Sequence, residues 1–333
     1  MTPVVGSTAA AAVTYSVDPW DPSYGMAYGD ELTADGRPES TAELILDLEV
    51  PEDQWRPLSA EIPAPVPDTV LFLDGVRRID ARVWVHGADD PQPAPGIAAS
   101  YAAGLVCCNG PARDGTARIT DVAVERGLFT AAPDAADLAS RHGVYPARRA
   151  AGTGMDKLSL ALQQRLSDTE VQLAMLFRKE NPDANDLLFV DGPLRGRTHL
   201  DRTVGYIKTH HTSYLPSPQA ATVAALQPGQ RTPAFTMGTS WRRNSWYLRL
   251  PGTAGAPWSG VVRLECSADL PVPEVRRLAD LSARLLPPLA SAAHKDPRAP
   301  QNLVPIGGLE RELRRRLGDQ QLLYRSLRAA ARA

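Results

Sequence analysis

Two stretches of the chain repeat one pattern: Val70-Leu71-Phe72-Leu73-Asp74-Gly75 and Leu187-Leu188-Phe189-Val190-Asp191-Gly192 each run four apolar residues into Asp-Gly. Uninterrupted apolar runs of this length, bounded by turn residues, read as strands buried on both faces of a sheet. The glycine lets the backbone leave the sheet sharply, so each carboxylate is expected at the end of a buried strand. Two oxygen donors delivered in this way suit a hard divalent cation. The competing reading of either copy is a plain turn after a strand.

The rest of the composition narrows the field. At 333 residues the chain is long enough for one large α/β unit with an extension, and 36 Lys plus Arg against 38 Asp plus Glu gives a formal charge of −2. With no global basic excess, any nucleic-acid contact has to rely on local patches. Cys107, Cys108 and Cys266 have neither disulfide-framework nor zinc spacing and suit a reducing compartment. No apolar run is long enough to span a membrane, and the start lacks the basic flank of a signal peptide, so a cytoplasmic protein without membrane contact is expected.

Residues 1–67 are rich in Pro, Asp, Glu and Ala and read as an irregular N-terminal arm, its Trp20, Tyr24 and Tyr28 available to dock on the core or on a partner. Residues 68–330 form the expected domain. Its first Asp-Gly strand is followed by strands over Ile79–Val85, Ala98–Cys108 and Ala117–Phe129, close enough to be a meander. A long helix is expected over Met155–Lys179, with Leu162, Leu166, Leu173 and Phe177 on one stripe and Glu170 at the position that completes it. A carboxylate aimed at the core is costly unless paired, protonated or bound to a cation; the alternative is a stripe-edge Glu that reaches solvent. Further strands are read at Tyr206-Ile207-Lys208, Ser245–Leu250 and Gly260–Cys266, a helix over Pro273–Leu286, and a last helical pair from near Gly307. There Glu310 lies beside the stripe of Ile306, Leu309, Leu313 and Leu317, either facing the site or belonging to a solvated charged face.

Strand Asp, helix Glu, strand Asp and a late helix Glu together are a set able to hold two divalent ions for phosphodiester hydrolysis. The chain contains no G-x-S-x-G elbow, no Walker-type phosphate loop and no H-E-x-x-H. Arg77 and Arg78 after the first Asp, Arg195 and Arg197 after the second, and Lys208 one strand later are consistent with a phosphate track, while Trp241-Arg242-Arg243 sets an aromatic beside guanidinium groups, as suits stacked single-stranded bases. Each cluster alone also reads as ordinary surface. Adjacent His210 and His211 would point to opposite faces of a strand.

With these pieces the chain resembles the NurA nuclease family, through Leu73-Asp74-Gly75, Glu170 on the helix before Asp191, Val190-Asp191-Gly192-Pro193-Leu194 and Gly205-Tyr206-Ile207-Lys208. The resemblance covers roughly residues 68–330. It implies an α/β fold with an RNase H-like, PIWI-like core, a mixed central sheet flanked by helices. It also implies a deoxyribonuclease dependent on Mn2+ or Mg2+, acting on single- and double-stranded DNA ends in repair or defence, homodimeric and coupled to a hexameric HerA-type ATPase. Asp74, Glu170, Asp191 and Glu310 would be catalytic metal ligands, with Lys208 on the scissile phosphate. The family's last site residue is usually a His preceded eight residues earlier by a Tyr; the comparable positions here are Glu310 and Asn302. Two rivals stand beside this expectation: a catalytically inactive relative kept as a DNA-binding or ATPase-regulating subunit, and a two-carboxylate glycosidase.

Overall fold

The computed structural model describes residues 42–60, 66–86, 92–109, 117–210, 212–252 and 258–331. A short strand β1 (Glu43–Ile45) precedes three long ones, β2 (Thr69–Val85), β3 (Ala94–Asn109) and β4 (Ala117–Thr130), and three short ones, β5 (Leu138–Ser140), β6 (Gly143–Tyr145) and β7 (Ala147–Arg149). Helix α1 (Met155–Glu180) leads into β8 (Asp186–Asp191) and β9 (Thr203–Ile207). After α2 (Ser217–Ala225) come β10 (Phe235–Gly238), β11 (Arg242–Arg249), β12 (Val261–Ser267), α3 (Val272–Leu285), α4 (Val304–Arg316) and α5 (Gln320–Ala330).

One mixed sheet runs in the order β1-β10-β11-β12-β9-β8-β2-β3-β4-β7. β2, β3 and β4 form the expected antiparallel meander, β8 and β9 lie parallel to β2, and the strands from β12 to β1 continue antiparallel. Alternation along β2 divides the core between two faces. Leu71 and Leu73 pack with Leu158, Leu162, Leu166 and Leu173 of α1, whereas Val70, Phe72 and Val76 pack with Leu303, Ile306, Leu309 and Leu313 at α4. The sheet is thus a mixed α/β layer covered on both sides, as expected.

β2 departs from the sequence reading. Asp74-Gly75 does not end a strand; the segment read as a separate strand over Ile79–Val85 is the second half of one 17-residue strand, with a register shift between Ile79 and Ala81. Gly75 stays in the ladder opposite Ala103 because the β3 partner continues on both sides of it. At Gly192, by contrast, φ is +102° and the chain does turn out of β8.

Residues 42–60 pack on the core. β1 extends the sheet at β10, the Trp55 ring lies 5.7 Å from that of Phe235, and Trp55 Nε1 donates to the Leu46 carbonyl at 2.8 Å. Glu49 accepts from both terminal nitrogens of the buried Arg231, each at 2.8 Å. Trp20, Tyr24 and Tyr28 lie outside the described residues.

Candidate metal centre

Register brings the two aspartates together. Leu73 of β2 is paired in parallel with Val190 of β8, so the next residue of each strand, Asp74 and Asp191, stands side by side. They alternate with Leu73 and Val190, which face α1, and therefore point to the α4 side, in step with the stacked rings of Phe72 and Phe189 5.5 Å apart. Helix α4 lies over that spot because Leu309 and Leu313 press on the bare backbone of Gly104, the partner of Asp74; a Cβ there would stand 2.7 Å from Leu309 Cδ1. Its next side chain, Glu310, is 9% exposed, and one carboxylate oxygen from each of Asp74, Asp191 and Glu310 lies within 4.8 Å of the others.

The three acids are held differently. Asp74 Oδ1 accepts from the Gly75 amide at 2.7 Å, but Asp74 Oδ2 is buried with no hydrogen-bond partner among the described residues. Burial first, then Asp191, Glu310 and Glu170, push the Asp74 carboxyl well above the usual range, against the pull of Lys208. The Lys208 ammonium donates to Asp191 Oδ2 at 2.6 Å and Asn302 Oδ1 at 3.0 Å, and lies 3.9 Å from Glu310 Oε1. Burial would lower its pKa, but Asp191, Asp74 and Glu310 outweigh that and hold it above its ordinary value. Glu310 is chelated by Arg298; burial raises its pKa, and the hydrogen bonds from Arg298 together with Lys208 bring it below the ordinary value.

An all-oxygen set with an orphaned, buried carboxylate oxygen fits a small hard cation such as Mn2+ or Mg2+. Asp74, Asp191 and Glu310 are the residues that would hold it. Glu170 is not among these three. It reaches the strand from the α1 face, where it pairs with Arg197, and its carboxyl is pushed up to about 7, mainly by burial and further by Asp191, with Arg197 opposing. Arg197 in turn donates to Ser167 Oγ at 2.9 Å and to the Pro193 carbonyl at 3.2 Å. Only a glycine at position 75 admits Glu170 so near Asp74, since a Cβ would stand 2.5 Å from Glu170 Oε1 and 2.7 Å from Leu166 Cδ1. Gly75→Ala is therefore expected to displace α1 and to cost on the order of 1–3 kcal/mol by overpacking, read as a lower urea midpoint with an unchanged slope.

The basic residues divide into two groups. Arg77, Arg195 and the Glu170-paired Arg197 line a cleft of about 600 Å³ together with Asp74, Glu170 and Asp191. Arg78 instead bonds Asp80 and the carbonyls of Leu317 and Gly318, tying β2 to the end of α4. Arg197 and Arg243 are buried, Arg243 against Glu265 at 3.2 Å and over the Trp241 ring at 4.6 Å, so one face of that indole is already covered. Arg242 is exposed beside Trp241. His210 Nε2 lies 2.9 Å from the Val261 carbonyl, its ring beside Tyr247 and Trp258, and His211 lies outside the described residues. Arg298 and Asp296 belong to the site without having stood out in the sequence: Asp296 Oδ2 accepts from Asn302 at 2.6 Å, and Asn302 orients Lys208. Their Pro-rich loop carries no periodicity that would point inward.

The NurA domain family matches residues 131–306, more than half of the chain. The chain belongs to the NurA family. Two of the clustered carboxylates, Asp74 and Glu310, lie outside the matched range, and it is the sheet register and α4 that bring them to Asp191. Among solved structures, the NurA nuclease from Sulfolobus solfataricus is similar at 11% identity, with a TM-score of 0.41 over 79% of this chain and 84% of that one. No curated protein matches the chain. Among the described residues of this NurA-family protein, no helix is long and apolar enough to cross a membrane.

Proposed function

We propose that this NurA-family protein is a divalent-metal-dependent deoxyribonuclease that processes single- and double-stranded DNA ends. The observation that carries the reading is the three-carboxylate cluster whose Asp74 Oδ2 is buried without a hydrogen-bond partner among the described residues. Bound there, Mn2+ or Mg2+ would supply Lewis-acid polarisation of a phosphodiester and a water acidified enough to attack it. Asp74, Asp191 and Glu310 set the negative charge that holds the cation, and Arg298 keeps Glu310 ionised. Lys208, already among the acids, is placed to exchange a carboxylate for a phosphate oxygen. Glu170 completes the catalytic set from the other face, where joining a second ion requires it to leave Arg197. Arg77 and Arg195 are positioned for the DNA backbone in the cleft, and exposed Arg242 with Trp241 for bases beyond it; Arg78, Arg197 and Arg243 support this surface from beneath. We assign the working form, on the family's pattern, to a cytoplasmic homodimer coupled to a HerA-type hexameric ATPase in DNA repair or defence.

A second reading, an inactive subunit that binds DNA or regulates an ATPase, is favoured by Glu310 and Asn302 at the family's His and Tyr positions and by the ammonium already seated among the acids. One assay separates them: end-labelled single-stranded and duplex DNA incubated with Mn2+ or with chelator. The nuclease degrades both only with Mn2+. An inactive subunit leaves them intact and shows no Mn2+-dependent rise in melting temperature. To test the N-terminal arm in ATPase docking, a truncation has to stop before residue 42, since β1 and Glu49 are part of the folded core.

A further inference from the structure

Away from the metal centre, the β5–β6 hairpin and the outer side of α5 enclose a second pocket, of about 460 Å³. It is lined by Arg141 and His142 at the hairpin tip and by Arg325 and Ser326 of α5, and by no carboxylate. Among the described residues, neither the Arg141 nor the Arg325 guanidinium has a hydrogen bond or ion pair. Ser326 is 8% exposed, and its hydroxyl is buried with no hydrogen-bond partner among those residues. A second orphaned donor, Arg126 Nε, lies under the hairpin, where Gly143 leaves room: a Cβ would stand 3.2 Å from that nitrogen.

Both walls are fixed before any ligand arrives. Ser140 Oγ donates to the Gly143 carbonyl at 2.8 Å across the hairpin, and Tyr145, fully buried, donates to Asp80 Oδ2 of β2 at 3.0 Å. Asp319 caps α5 by accepting from the Leu322 amide at 2.7 Å, while Leu323 and Leu327 bury its inner side. Two guanidinium groups carried by separate rigid elements, with a buried hydroxyl lining the same pocket and no carboxylate among its lining residues, suit an anion with several acceptor oxygens.

We infer that this pocket binds a phosphate group. Two sources share that chemistry: a backbone phosphate of a nucleic-acid strand whose other part lies at the metal centre, or a free phosphate compound. The first rests on the nuclease reading, and the length of β2 suits it. The hairpin packs near Ala81 and Leu128, seven residues along β2 from Asp74, or roughly 23 Å at about 3.3 Å per residue. That is several nucleotides of strand.

The test compares the full chain with Arg141→Ala/Arg325→Ala, with Ser326→Ala, and with the charge-matched control Arg56→Ala/Arg284→Ala, all in chelator so that no cleavage intervenes. Anisotropy of labelled single strands of about 30 and about 4 nucleotides is followed over a salt series, and melting temperature over a pyrophosphate series. A strand phosphate predicts that the double variant loses about 1.4 from the log–log salt slope for the long strand, two contacts at ~0.7 each, with the short strand and the control unchanged. A free phosphate predicts that pyrophosphate raises the melting temperature of the full chain and control but not of the double variant, with equal DNA slopes. In either case Ser326→Ala weakens the same binding, with the salt slope unchanged because a neutral hydroxyl releases no counterion. If the double variant matches the control in both series, the phosphate site is wrong. Failure of the nuclease reading would show instead as absent Mn2+-dependent cleavage by the full chain, which these binding series do not depend on.

Discussion

Asp74→Asn is expected to abolish Mn2+-dependent DNA cleavage and at the same time to raise the melting temperature of the metal-free protein. The two effects have one cause. In the metal-free chain Asp74 is a buried acid beside Asp191 and Glu310, with one oxygen unpartnered among the described residues, and its carboxyl is held well above its ordinary value by burial and by those neighbours. An Asn keeps an oxygen for the Gly75 amide and offers an N–H₂ toward the two remaining carboxylates, replacing a repulsion with a donor. Relief of that kind is worth roughly 1–3 kcal/mol, or several degrees in a domain of this size. Because a raised carboxyl pKa means that the folded state binds more protons than the unfolded one, metal-free wild type loses stability as pH rises above the ordinary Asp value, and the gap to the Asn variant widens in the same direction. Activity moves the other way: removing one of the three proposed ligands would forfeit several kcal/mol of charge stabilisation, at least about a thousandfold in rate. The Mn2+-dependent rise in melting temperature should vanish with it. Retention of wild-type cleavage, or a lower melting temperature than wild type in chelator, would remove Asp74 from the centre.

Much of this arrangement is legible in the residues before any coordinates. The stripe Leu162, Leu166, Leu173, Phe177 orients α1 and places Glu170 inward, because helical spacing fixes direction within an element. The run from Leu187 to Asp191 likewise gives β8 and its terminal carboxylate. What spacing cannot give is which face of a sheet an element covers. Glu170 and Glu310 read alike as helix-borne acids, yet they approach Asp74 from opposite faces, and so only Glu310 shares its cluster. Gly75 misleads for a related reason: Asp-Gly signals a turn locally, but this glycine answers to the close approach of α1 across the sheet. Charge has the same ambiguity. Arg77 with Arg78 and Arg195 with Arg197 read alike as basic pairs in sequence, whereas three of the four line the cleft, and Arg78 and the cleft-lining Arg197 are taken up by internal carboxylates.

Arg197→Met should unfold the protein more readily than loss of any exposed arginine, by about 3–5 kcal/mol, because it strands a charge instead of merely deleting a bond. Both members of the pair are nearly inaccessible, with side-chain exposures of 6% for Arg197 and 5% for Glu170. Even with the guanidinium in place, burial and Asp191 hold the Glu170 carboxyl up at about 7, and Arg197 is the group that opposes them. The folded variant would then take up a proton that the unfolded chain, with Glu near its ordinary 4.5, does not hold at neutral pH. Its stability deficit should accordingly be smallest in mild acid and grow as pH rises, the sign set by the excess of protons in the folded state. Glu170→Gln in the same background removes the stranded charge while keeping its volume, so the double variant should recover most of the loss, and a double-mutant cycle in urea would measure the coupling directly. If Arg197→Met alone were neutral, or if Glu170→Gln added to its cost, Glu170 would not be a carboxylate that depends on Arg197 in the metal-free protein, and its availability for a cation would have to be argued from a different resting state.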